Sequence, residues 1–152
     1  AGEARWVRVD PQLDEQHQRA LSLDFSPLDV PHDRFVVAGD AWRDQRAGKL
    51  DPGLCGIDKY WGAWFIAANL VHDLAALNKQ ELLAWDIWGA APRTEQPLTE
   101  SENAWFDEIA AISSAPDGAL TQIRQLVRSD ARLRVPEQVF NVRRQREEHV
   151  VV

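Results

Sequence analysis

The chain has 152 residues, 45% of them apolar and 27% charged, enough for one domain around a single hydrophobic core and far from the composition of a disordered segment. A net charge of −7 argues against attraction to nucleic-acid backbones or anionic lipid, since both need a positive surface. Seven Trp and no Met predict a core built largely on indoles, each carrying one N–H that wants a partner when buried.

In chain order, Ala1–Arg5 lacks the charged and apolar regions of a signal peptide, and the absence of an initiator Met is compatible with a chain cut from a longer protein. Arg5–Val9 alternates like a strand that Asp10-Pro11 closes, because proline cannot donate to a ladder. It reads as the one convincing strand. Its neighbours would lie outside the sequence, since Val36-Val37 and Val150–Val152 make weak partners. A short helix over 14–22 precedes an extended, proline-interrupted stretch from Phe25 to Pro31. A helix from Phe35 to Ala47 should stop at Gly48, and Asp51–Gly53 should turn.

From Trp61 an almost wholly apolar helix runs to Leu77, too interrupted by Asn69, His72 and Asp73 to be a membrane span. Trp64, Phe65, Val71 and Leu74 should be buried on it. Its three polar residues should find hydrogen-bond partners, because unpaired polar groups in a core are expensive. Asn78 breaks that helix, and a second is expected from Lys79 to Trp88, stopped by Gly89. After a loop over 93–98, Thr99 and Glu102 have the spacing of a capping box for a helix to Ser113. Asp117 is expected to cap a helix over 118–129, and Pro136 to open a last short one. The whole predicts a single domain over 1–152, mainly α with one N-terminal strand: residues 1–11 close a sheet and 12–152 form a helical region.

Few residues offer chemistry. The histidines at 17, 32, 72 and 149 lack the spacing of a helical zinc motif, and no phosphate loop, dinucleotide fingerprint or nucleophile elbow is present. No metal and no cofactor is therefore expected. Arg143-Arg144-Gln145-Arg146, followed by Glu147-Glu148, reads as a solvated helix face. The lone Cys55, in Leu54-Cys55-Gly56-Ile57, cannot form an internal disulfide, so nothing demands an oxidising compartment, and a cytoplasmic location is the default. With apolar neighbours and no evident base, it reads as a small buried hydrophobe.

The segments RWVRVDPQLD, VPHDRFVVAGDAWRDQRAG, DPGLCGI, GAWFIAANLVHDLAALNKQELLAWDIWG and RLRVPEQVFN resemble, in order, successive blocks of a bacterial transglutaminase-like family. The resemblance implies an α+β, papain-like thiol fold of which this chain is the C-terminal, mainly helical portion. It also implies a Cys, His, Asp triad in that chain order, with the Asp after a tryptophan-containing strand. Asp10 is then the orienting member, holding an imidazole in one tautomer. The family cysteine and histidine would lie upstream of Ala1. Cys55 stands where an aromatic residue is expected, His72 where arginine is, and Ala84 where proline is.

The implied function is acyl transfer or amide hydrolysis through a thioester, on a protein or peptide substrate, once an N-terminal segment or companion chain supplies Cys and His. Within the helical block Asn69, Asp73, Asn78, Glu81, Trp85 and Asp86 are candidate ligand contacts, although such groups more often cap helices. The alternative is a noncatalytic helical interaction module that recruits a partner along the strand edge. A metal-dependent hydrolase would need clustered ligands that the sequence does not show.

Overall fold

A computed structural model describes residues 7–10, 13–57, 59–80, 82–83, 85–89, 97–114 and 116–150. The chain packs as two compact units, Ala1–Val36 and Val37–Val152. Among the described residues it holds five α-helices, a two-stranded ladder and a three-stranded antiparallel sheet. None of those helices is long and apolar enough to cross a membrane.

The first unit is mostly irregular. Helix α1 (Glu15–Ala20) is capped by the Asp14 carboxylate, which accepts the His17 N–H. Val7–Asp10 is described but lies in no strand, and Arg5 and Trp6 fall outside the described residues. The segment is instead tied to its own chain at two points. Asp10 N–H donates to the Pro27 carbonyl and Val30 N–H donates to the Arg8 carbonyl, both at 2.8 Å. The expectation that the segment takes all its partners from outside the sequence is therefore corrected on one edge.

The second unit is built around α3 (Ala63–Leu77), against which α2 (Ala38–Arg46), α4 (Glu100–Ser113) and α5 (Pro116–Ser129) pack. Trp64, Val71 and Leu74 are buried as the apolar pattern demands, whereas Phe65 is only half-buried. Trp42 and Trp88 complete the buried indoles, and Trp61 stays 47% exposed. The Trp42 indole N–H donates to Asp107 Oδ1 at 2.7 Å, and Arg46 Nε reaches the same oxygen at 3.1 Å, joining α2 to α4. The capping box of α4 is present, with Thr99 and Glu102 satisfying each other's backbone N–H groups. Gly48 takes its left-handed position after α2 with φ 70°.

Helix α2 crosses α4 at a glycine. A methyl on Gly39 would sit 2.6 Å from Ser114 Oγ, 2.9 Å from Ser113 Oγ and 3.1 Å from the Ala110 carbonyl. Gly39→Ala should therefore lose about 1–2 kcal/mol net, the overpacking exceeding the helix propensity gained. An unchanged or higher urea midpoint would show that the crossing gives way without strain.

Several expected boundaries shift. Residues 35–37 precede α2 rather than opening it, and a 3₁₀ turn covers His32–Arg34. Another 3₁₀ turn, Pro52–Leu54, replaces the simple turn at 51–53. Strand β1 (Gly56–Ile57) pairs antiparallel with β2 (Tyr60–Trp61), so Trp61 belongs to a ladder and Gly62, at φ 102°, leads into α3. Helix α5 takes Pro116 as its first residue, where a missing N–H does no harm, and Asp117 lies inside the first turn instead of capping it.

Two larger corrections concern the remaining sheet. No helix runs from Lys79 to Trp88. Asn78 closes α3 by donating its side-chain amide to the Leu74 carbonyl at 2.8 Å, and Lys79 turns the chain with φ 63°. The chain then enters β3 (Asp86–Ile87), both residues buried. Nor does Pro136 open a helix: β4 (Gln138–Asn141) and β5 (Arg146–His149) form a hairpin, with Asp86 opposite Asn141 and Ile87 opposite Phe140. The run Arg143–Arg146 is accordingly a hairpin turn leading into β5, with Gln145 at φ 55°. Val139 and Val142 need burial, and the ladder supplies it without leaving the β4 backbone groups unpaired.

Candidate functional site

Asp10 stands at the end of the extended segment in the first unit. The two bonds through Arg8 and Asp10 turn those residues' backbone groups toward 27–30, where Pro27 and Val30 are buried. In an extended chain the residues between them point their N–H and C=O the other way. Val7 and Val9 exchange no backbone hydrogen bond among the described residues, and their side chains leave them 42% and 57% exposed. Among the described residues, then, one edge is occupied and the other takes no backbone bond. Leu21, Leu28, Phe35 and Val36 of the same unit are exposed as well, while Val30 is its one buried large hydrophobic residue among those described. The imidazole of His17, in the same unit, is held at 2.8 Å by Asp14.

In the second unit the polar residues of α3 meet the three-stranded sheet. His72 donates from Nε2 to the backbone carbonyl of Asp86 at 2.5 Å, and its ring packs 5.4 Å from that of Trp88. Burial pushes the imidazole below its ordinary value, partly opposed by that hydrogen bond and by the Asp86 charge. The Asp86 carboxylate accepts the Leu83 N–H at 2.9 Å and the Asn141 amide at 3.4 Å. Asn141 Oδ1 in turn accepts the Arg144 N–H at 2.9 Å. These bonds fasten α3, β3 and the hairpin to one another. Asp86 is consumed by this knot, a structural post rather than an open contact.

Beside the knot lies a small pocket walled by Tyr60, Trp64, Phe65 and Trp85, with Asn69 and His72 at its polar side. The Tyr60 and Trp85 rings are 5.2 Å apart, and the Arg143 guanidinium lies 5.5 Å over Trp85. The Tyr60 hydroxyl donates to the Val142 carbonyl at 3.3 Å. The space inside is about 10 Å³, close to what one water needs. It is not a substrate cleft. Asn69 and Asn78 donate their side-chain amides to carbonyls of their own helix, Phe65 and Leu74. Glu81 lies outside the described residues.

Asp73 departs from expectation. Its carboxylate accepts no hydrogen bond among the described residues, although the helix pattern called for a partner. Half-buried on α3, its carboxyl is pushed up from 3.8 to about 6 by desolvation. Each pH unit is worth about 1.4 kcal/mol, so about 3 kcal/mol is a ceiling on what the charge costs, and solvent screening reduces it to about 1–2 kcal/mol. Because the folded state holds this proton more tightly than the unfolded chain, stability falls as pH rises from about 4 to about 6. Asp73→Asn should accordingly stabilise the protein by about 1–2 kcal/mol at pH 8 and leave it unchanged near pH 4. His72 acts in the opposite sense, its contribution being lost as pH falls below the ordinary histidine range, but it cancels between the two proteins. Denaturant titrations at both pH values check this; an equal change at the two would mean that the carboxyl does not titrate there.

Cys55 is a half-buried free thiol raised above its ordinary value by burial and by the Asp51 charge, the reverse of what an attacking thiolate needs. Among the described residues no three of His, Cys, Asp and Glu come together as a metal ion would require. No family model, curated protein or solved structure matches the chain. The knot residue that sequence reasoning missed is Asn141. Its signal lay in Val139-Phe140-Asn141-Val142, a β-branched and aromatic run ahead of an Arg-rich turn.

Proposed function

We propose that this chain is the C-terminal part of a bacterial transglutaminase-like thiol enzyme, performing acyl transfer or amide hydrolysis on a protein or peptide substrate. In this reading it contributes Asp10 and a bracing helical block, while an N-terminal segment or companion chain brings the cysteine and histidine. A papain-like arrangement and a cytoplasmic location belong to the same proposal. The observation that supports it is the open edge at Val7 and Val9 beside Asp10, in a unit whose described residues bury little of their own apolar surface. A strand seated on that edge would satisfy the two valines and bring its side chains next to Asp10. Asp73 remains as a lesser ligand candidate; Asp86, Asn78 and Asn69 serve the fold in this reading, and Trp85 walls a space that fits one water.

Purified on its own, the chain should hydrolyse no amide and transfer no acyl group, because an orienting carboxylate without a nucleophile and a base activates nothing. Turnover by the chain alone, abolished by Cys55→Ala, would overturn the proposal. Amide exchange tests the edge itself: Val7 and Val9 should exchange fast in the isolated monomer and slow when a companion segment is added. Strong protection in a proven monomer would remove the reason to invoke a missing strand.

The same open edge also supports a noncatalytic module that binds a partner strand. The two readings part at the coding sequence ahead of Ala1. A helix-opening Cys followed by a His-x-Trp strand favours the enzyme, and a start codon close to Ala1 favours the module.

A further inference from the structure

We draw no further inference here: the strongest candidate, the open groove at the N-terminus of α3 between Arg46, Trp61 and Asn103, rests on a helix end with no second observation pointing to a ligand, since the unpartnered Trp64 indole N–H beside it is shut off from solvent.

Discussion

Under the proposed function, Asp10→Asn, made in a protein to which an N-terminal segment or companion chain supplies a cysteine and a histidine, should lower kcat by about 10⁴-fold. An orienting carboxylate accepts the Nδ1–H of the imidazole, so that Nε2 is left free to take the proton of the nucleophile, and it stabilises the imidazolium that forms. An amide in its place can present an N–H to the ring and select the wrong tautomer, while changing almost nothing in shape. The folded state should survive the change, because the Asp10 backbone N–H donates to the Pro27 carbonyl, a bond the substitution keeps. The measurement is kcat and KM on an amide or ester substrate with a thermal melt of the same samples. A kcat within about tenfold of the parent at equal melting temperature would mean that Asp10 is a strand terminus and nothing more.

Leu74→Ala should destabilise the second unit by about 2–5 kcal/mol. Leu74 is fully buried on α3 in the same core cluster as Trp42, Leu70, Ile109 and Ile123. With α2, α4 and α5 all packed on α3, the walls around the lost side chain come from several helices and cannot all move inward together, so much of the cavity persists. The backbone at Leu74 carries the cap of the helix through its carbonyl, which alanine keeps. The loss is therefore a packing effect, seen as a lower urea midpoint with an unchanged slope. A loss under about 1 kcal/mol would show that the helix has been placed on the wrong face.

What could be seen in the sequence was what depends on near neighbours. The capping box at Thr99 and Glu102 needs residues three apart, and it forms. The apolar run of α3 and its break at Asn78 are likewise local, since the Asn78 amide closes the helix four residues back. Lys79–Trp88 was misread for the complementary reason. Gln80, Leu82 and Leu83 belong to good helix-forming types, and no signal in that stretch announces that Asp86 and Ile87 will be claimed by Asn141 and Phe140. Pro136 suits a helix start, yet the alternation that follows it is a strand signal, and the hairpin prevails because it buries Val139 and Asn141 together. For the candidate site, the polar residues of α3 could be read from the sequence, whereas the role of Asp10 comes from the resemblance alone. Whether Asp73 meets a partner depends on what faces it across the fold, which composition and spacing do not encode.

The hydrogen bond between Asp86 and Asn141 joins residues 55 positions apart, and β3 finds its ladder partner only in β4. On the ribosome, β3 emerges long before the hairpin does, at about 5–20 residues per second. For several seconds the nascent chain carries an unpaired β3, and with it a buried-to-be Ile87 and Trp88 still in water. Until β4 arrives to fix β3, His72 has no fixed carbonyl to hold. Closure of this unit thus waits for β4, and a stall or nonsense codon just ahead of Gln138 would strand an otherwise helical unit with Ile87 and Trp88 open to chaperones and proteases.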